Sequence, residues 1–256
     1  MDRLRVVAVI PARYSSTRFP GKPLASLLGT PMIAHVVNRV REAGCCDDVV
    51  VATDDDRIVV AAERAGAHAM MTGPAVSGTD RVAQAVRGLE ADIVLNVQGD
   101  EPAMAPGNLA AVADFLVREP SASLATLALA ATADDLANPN VVKVVSDLRG
   151  RALYFSRAAI PYPRNPTPGV ARKHLGLYGF RRAALFEFTA WPETELEHAE
   201  GLEQLRALAH GMAIHVLPAV GDSVAVDVPA DVASAEAALA ALASRKPAIS
   251  AGEVGR

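Results

Sequence analysis

The sequence predicts an α/β fold in which a mostly parallel central sheet carries helices on both faces. Three observations lead there. Apolar, β-branched runs recur along the chain, segments with helical periodicity separate them, and 51% of the 256 residues are hydrophobic, enough to bury such a sheet on both sides.

Taken in order, the first strand spans Leu4 to Ile10 and ends in the loop Ile10 to Pro23, IPARYSSTRFPGKP. Pro31 opens a helix carried by Met32, Ile33, Val36, Val37 and Val40 and stopped near Gly44, because proline tolerates a first helical turn and glycine accepts the left-handed exit. A strand at Asp48 to Ala52 precedes a helix from Arg57 to Ala65, ended by Gly66. The turn Ser77-Gly78-Thr79-Asp80 opens a helix from Asp80 to Leu89. Strands follow at Ile93 to Val97, Ser123 to Leu129 and Val141 to Ser146.

Between about 150 and 185 the texture changes. Pro161, Pro163, Pro166 and Pro168 interrupt the pattern before an aromatic strand, His174 to Phe180, so this segment is predicted to form an insertion or lobe. Helical periodicity returns from Leu196 to His210, a strand occupies Ala213 to Pro218, and an alanine-rich helix runs from Pro229 to about Ser244. The expected organisation is one domain over residues 1–245 with a flexible tail at 246–256.

Bulk properties narrow the function. With 25 Lys and Arg against 29 Asp and Glu, the net charge of -4 argues against a nucleic-acid-binding surface and leaves local cationic clusters to explain. No apolar run reaches the roughly 18 residues of a spanning helix, so a cytoplasmic protein without a membrane partner is expected. Cys45 and Cys46, adjacent and the only cysteines, offer neither a disulfide framework nor a thiolate metal cage.

The first loop is the strongest chemical signal. Arg13, Arg18 and Lys22 can neutralise phosphate oxygens, and backbone N–H groups around Ser15, Ser16, Thr17 and Gly21 can donate to them, which suits a nucleoside triphosphate. The loop lacks both the P-loop pattern and G-x-G-x-x-G, which disfavours ATPase and dehydrogenase chemistry. Asp100, in Asn96-Val97-Gln98-Gly99-Asp100-Glu101-Pro102, emerges at the carboxyl edge of the sheet, where it can hold Mg²⁺ or cap the next element. Asp227 ends another apolar segment before a helix; Asp231, in the first turn, better fits the cap, leaving Asp227 as the second candidate metal ligand. Ser77, Gly78, Thr79 and Arg81 suit either a base edge or phosphate, or ordinary helix capping. Arg157, Lys143, His174, Glu203 and Gln204 suit an acidic, polyhydroxylated ligand, or structural roles.

Taken together the motifs resemble the family of 3-deoxy-manno-octulosonate cytidylyltransferases from Val6 to about Ala238. The likeness rests on IPARYSSTRFPGKPL at 10–24, VATD at 51–54, SGTDR at 77–81, NVQGDEP at 96–102, NPNVVKVV at 138–145, LYFSRAAIPYPR at 153–164, HLGLYGF at 174–180 and LEQLR at 202–206. It implies a Rossmann-like nucleotidyltransferase fold with a smaller dimerisation lobe, a homodimer built through the proline-interrupted region, and magnesium-dependent transfer of CMP from CTP to the sugar acid 3-deoxy-D-manno-octulosonate (KDO) with release of pyrophosphate, a step of lipopolysaccharide biosynthesis. By matching motif it assigns Arg13, Lys22, Asp100 and Asp227 to catalysis, the two aspartates as magnesium ligands. It assigns Ser15, Ser16, Thr17, Ser77, Gly78, Thr79, Arg81 and Gln98 to the nucleotide, and Arg157, His174, Glu203 and Gln204 to the sugar acid. Another acidic ketose as acceptor, such as the 8-amino relative or a sialic acid, and a non-catalytic nucleotide binder are the competing expectations.

Overall fold

A computed structural model describes residues 3–16, 18–165, 167 and 169–244; Thr17, Pro166, Pro168 and the expected flexible tail lie outside the described residues. In chain order the elements are β1 (Val6–Ala12), the short β2 (Ser26–Leu27) and β3 (Thr30–Pro31), α1 (Met32–Ala43), β4 (Asp48–Thr53), α2 (Asp56–Arg64), β5 (His68–Met71), α3 (Gly78–Val86), β6 (Ile93–Asn96) and α4 (Pro106–Arg118). The second half adds β7 (Leu124–Ala130), α5 (Ala133–Ala137), β8 (Lys143–Ser146), β9 (Ala152–Ser156), β10 (Arg172–Arg181), α6 (Arg182–Ala190), α7 (Glu195–Glu200), α8 (Gln204–Ala209), β11 (Ile214–Pro218) and α9 (Val232–Ser244).

Among the described residues the main sheet runs β11-β7-β10-β6-β1-β4-β5, with β8 paired to β10 and β9 paired to β8. Neighbours pair in parallel except where β10 is involved and between β8 and β9, so along the main path only β10 is reversed. The predicted mostly parallel sheet is therefore the observed one.

Period-two burial explains why the strands read as continuous apolar runs. Along β1, Val6, Ala8 and Ile10 join one buried cluster with Val36, Val37 and Val40 of α1, Ile58 of α2 and Val112 of α4. Val7 and Val9 join the other, with Val82 and Val86 of α3, Phe188 of α6 and Leu205 of α8. Each fully buried Val or Ile contributes about 1.5–3 kcal/mol, so a charged replacement at Val9 would break both the layer and the sheet.

The helix boundaries follow local chemistry. Gly44, at φ 62°, ends α1; the Asp55 side chain accepts from the Arg57 N–H to start α2; and Ser77 with Asp80 forms a reciprocal capping box at α3.

Two expectations change. The single helix predicted from Leu196 to His210 is two, α7 and α8, because Gly201 turns left-handed at φ 60° and sets Leu202 and Glu203 between them. Part of the segment expected to stand apart at 150–185 enters the main sheet: Tyr178 to Arg181 of β10 pair with β6, burying Phe180. Elements such as the short β5, and α4 and α6, were not predicted. α6 is the clearest case, since Phe, Ala and Leu follow β10 without a breaker.

A third apolar cluster positions the last part of the chain. Leu27, Met32 and Ala103 pack with Val226, Ala235 and Leu239, and Glu236 of α9 accepts from the Leu28 N–H at 2.8 Å. This anchors the segment before α9 at the carboxyl edge of the sheet, beside the loops after β1 and β6.

Candidate active site

The loop after β1 is folded around one carbonyl. Tyr14 C=O accepts from Ser16 N–H at 3.0 Å and Gly21 N–H at 2.9 Å, and Gly21 sits at φ 71°, a left-handed conformation that a side chain would strain. These two N–H groups are thus spent inside the loop rather than awaiting phosphate, while the cationic side chains of Arg13, Arg18 and Lys22 face the cleft. The Tyr14 ring carries the Arg57 guanidinium 3.6 Å from its centre, and its N–H reaches Asp54 Oδ1 at 3.3 Å.

Lys22 leaves this loop and meets both candidate metal carboxylates. Its Nζ donates to Asp100 Oδ2 at 2.6 Å and lies 3.6 Å from Asp227 Oδ1, while Arg18 approaches the same Asp227 oxygen at 3.2 Å. The backbone holds the two aspartates in register: Val226 N–H donates to Asp100 C=O at 2.9 Å. Asp231 performs the capping, accepting from the N–H groups of Asp227 at 2.8 Å and Val228 at 3.0 Å, which leaves the Asp227 side chain to the cleft as expected. Gly99 makes the close approach possible, since a methyl there would lie 2.8 Å from the Pro11 carbonyl oxygen.

Arg13, Ser16, Arg18, Lys22, Ser77, Gly78, Arg81, Gln98, Asp100 and Asp227 line one cleft. Among the described residues no group of three or more His, Cys, Asp or Glu side chains gathers as a metal cage. Two carboxylates at one cleft instead fit a hard divalent ion that takes its remaining oxygens from phosphates and water. Val76 is also part of the wall and is 94% exposed, an apolar side chain presented to the cleft.

Not every predicted nucleotide contact faces the cleft. Ser15 is exposed and stands outside the wall, and Thr17 lies outside the described residues. Thr79 is buried behind the wall, where its hydroxyl donates to Glu203 Oε2 at 2.7 Å and accepts from Asn96 Nδ2 at 2.9 Å. That corrects its assignment: its hydrogen bonds are spent internally, because the first turn of α3 points it at the sheet. Arg81 is nearly buried yet borders the cleft, held by Asp54 Oδ2 at 2.8 Å and by the Thr72 hydroxyl. Asp54 was missed as a site residue; its position directly after a strand, within VATD, was the available signal.

The predicted sugar-acid residues form a neighbouring group. Glu203 accepts from Ser77 Oγ at 2.6 Å as well as from Thr79, and burial raises its carboxyl pKa above the ordinary range. Gln204 lies beside it, with Thr79 and Tyr178, around a small recess. His174 meets Phe155 edge-to-face and Tyr178 at a tilt, with ring centres 5.1 and 5.3 Å away. Although part of its surface stays accessible, its dense apolar surroundings push its pKa down to about 3, so it is a neutral imidazole. The Thr126 hydroxyl lies 2.9 Å from His174 Nε2 and 2.8 Å from the Leu177 carbonyl oxygen, so Nε2 is already engaged within the fold. Arg157 is half-buried and directs its guanidinium at the carbonyls of Glu200, Pro139 and Gly201.

Two further residues escaped the sequence. Tyr178 joins His174 to Phe180, and burial lifts its phenol pKa well above the usual value. Glu101, next to Asp100, is buried with Oε2 unpaired, and burial together with the Asp100 charge raises its pKa to about 7. Gly176 accommodates it, since a methyl there would stand 3.0 Å from Glu101 Oε1.

Comparison with known proteins adds to this geometry. The pattern of the cytidylyltransferase family matches residues 7–214. A 3-deoxy-manno-octulosonate cytidylyltransferase of Anaeromyxobacter sp. (strain Fw109-5) is 50% identical over 242 residues, 93% of this chain and 98% of that protein. The Myxococcus xanthus (strain DK1622) protein of the same name is 50% identical over 244 residues, covering 94% and 99%. A solved CMP:2-keto-3-deoxy-manno-octonic acid synthetase complexed with CTP superposes with a TM-score of 0.88 at 42% identity, covering 93% and 99% of the two chains. The 4-diphosphocytidyl-2C-methyl-D-erythritol synthase of Anaerococcus prevotii, at 13% identity and a TM-score of 0.65, shares the fold alone.

Proposed function

This chain belongs to the cytidylyltransferase family, among its 3-deoxy-manno-octulosonate enzymes, and on that premise we infer that it transfers CMP from CTP to the anomeric hydroxyl of KDO. The products are CMP-KDO and pyrophosphate. The observation that carries the reading is the meeting of Asp100 and Asp227 at Lys22 inside a cleft walled by Arg13, Ser77 and Gln98.

Arg13, Arg18 and Lys22 bind the triphosphate, whose charge matches three cations at one mouth. Ser77, Gly78 and Gln98 face the nucleoside, and Asp54 orients Arg81 beside them. Arg157 receives the sugar carboxylate, His174 Nδ1 meets a sugar hydroxyl, and Gln204 with the remaining lone pairs of Glu203 reads the others. The anomeric oxygen then attacks the α-phosphorus in line, its hydroxyl proton passing to water, and the bond to the β-phosphate oxygen breaks as pyrophosphate leaves. Lys22 and Arg13 stabilise the charge that accumulates on the leaving group; positioning and neutralisation do most of the catalysis. Asp100 and Asp227 would hold a divalent cation, magnesium given two hard carboxylate donors, which when bound neutralises phosphate charge and acidifies the attacking hydroxyl. No protein nucleophile is needed.

The assembly we propose is a homodimer through the proline-interrupted segment at about 150–185, supported by the exposed Leu153 and Tyr162, 62% and 86% accessible. Among the described residues no helix is long and apolar enough to cross a membrane, and we place the enzyme in the cytoplasm, where CTP and the sugar acid supply lipopolysaccharide assembly. Pyrophosphate release, measured with CTP, UTP and ATP against KDO, its 8-amino relative and a sialic acid, tests the assignment. Preference for CTP with KDO is expected; turnover restricted to another acceptor would overturn it.

A further inference from the structure

Lys143 is completely buried, and among the described residues it forms no ion pair. Its ammonium donates to the carbonyls of Asn138 at 3.0 Å, Val141 at 2.6 Å and Arg157. Three acceptors exhaust its three protons, so Lys143 has none left for a ligand and cannot be a direct contact. A buried cation without a counter-ion is costly, and here three carbonyls take the place of water around the ammonium. Burial first, and then the neighbouring Arg157 charge, lower the pKa of Lys143, against a smaller opposing pull from Glu200 and Asp135.

Arg157 is built in the same way. Its Nε donates to Glu200 C=O at 2.8 Å, Nη1 to Pro139 C=O at 3.2 Å and Nη2 to Gly201 C=O at 3.4 Å. The Glu200 carboxylate is occupied elsewhere, by Ser156 Oγ at 2.6 Å and the Arg157 N–H at 2.9 Å. The guanidinium is thus held in place without a carboxylate hydrogen-bonded to it, the arrangement needed by a cation that must be rigid yet still attract an anionic substrate.

The two cradles share their walls. Pro139, which receives Arg157 Nη1, lies inside the 138–141 turn that Lys143 closes, and the Arg157 carbonyl is itself a Lys143 acceptor. On the far side, Gly201 stands two residues before Glu203, which takes hydrogen bonds from Ser77 and Thr79 of the nucleotide side. Building on the sugar-acid reading above, we propose that Lys143 is a positioning residue that locks Arg157 to receive the acceptor's carboxylate, and so sets the affinity for the acidic sugar.

The test is a double-mutant cycle on the full chain, with Lys143→Met, Arg157→Ala and the pair, measured by pyrophosphate release. In the wild-type background Lys143→Met is expected to raise KM for KDO roughly tenfold or more while KM for CTP stays within about twofold. In the Arg157→Ala background the same change should add less than about twofold, because the residue it positions is gone. Equal effects in both backgrounds, or equal losses for CTP and sugar, would make Lys143 a general structural support and overturn the proposal. So would an unchanged KM for KDO. If circular dichroism shows that Lys143→Met does not fold, Lys143→Gln, whose amide keeps two donors, goes through the same cycle with the same criteria. Absence of turnover with CTP and KDO in the unmodified protein would remove the sugar-acid reading and this assignment together, whereas wild-type turnover with an indifferent Lys143 removes only the latter.

Discussion

Lys22 donates a 2.6 Å hydrogen bond to Asp100, although 78 residues separate them, and the two side chains are only 15% and 27% exposed. A cation shared between Asp100 and Asp227 marks the point where phosphate and metal charge would converge, and it makes the roles of these residues separable by experiment.

Asp100→Asn replaces a carboxylate with a neutral amide that binds hard cations poorly. Turnover should fall by about two to three orders of magnitude, with a thermal midpoint within a few degrees of wild type. Pyrophosphate release at saturating divalent cation, paired with calorimetry, checks both; undiminished turnover would remove Asp100 from the metal site.

Lys22→Ala should raise KM for CTP far more than KM for the sugar acid, by roughly ten- to a hundredfold against twofold, because the lost charge faces the triphosphate. Steady-state kinetics with each substrate varied separately reads the split. Matching increases would place Lys22 outside triphosphate recognition.

Thr79→Val should strip a partner from both Glu203 and Asn96 inside the protein. The cost is about 1–3 kcal/mol, or a fall in melting temperature of roughly 3–10 °C for a chain of this size. A midpoint unchanged within error would show that these hydrogen bonds contribute no net stability.

His174 should make stability depend on acid in a defined window. Its pKa falls from 6.5 in the unfolded chain to about 3 in the fold, so the folded state favours the neutral ring. That contribution is complete above pH 6.5 and is lost as pH falls towards 3, because the unfolded chain takes up the proton first. The stability difference between wild type and His174→Gln, from denaturant titrations, should therefore shrink by up to about 1.4 kcal/mol per pH unit below that limit and stay flat above it. A flat difference throughout would contradict a neutral, desolvated His174. Glu101, with its raised pKa, acts in the opposite sense, losing its contribution as pH rises from 4.5 to about 7, which is why the comparison is between variants.

Much of the fold was legible because the strands are buried on both faces, and continuous runs such as Val6 to Ile10 have no other low-energy use. Helix starts with a side-chain cap, as at Ser77, were equally readable. The break at Gly201 was not, since a lone glycine inside a periodic segment is also tolerated within helices, and only the packing of α7 and α8 made it a turn. In the site, the loop cations and the aspartates that follow apolar segments were visible by type and placement. Tyr178 and Glu101 were not, because an aromatic in a strand and an acid beside a proline are ordinary vocabulary until burial is known.

By itself the sequence determined the alternation of strands and helices, the cationic loop after the first strand, and the two aspartates that close apolar segments, since periodicity and turn chemistry are local properties. Only the tertiary structure decided that Asp100 and Asp227 share one lysine, that Thr79 turns inward, and that Lys143 donates to the Arg157 carbonyl. Each of those outcomes depends on distances between residues far apart in the chain, and strand order together with close backbone approach at Gly99 sets those distances.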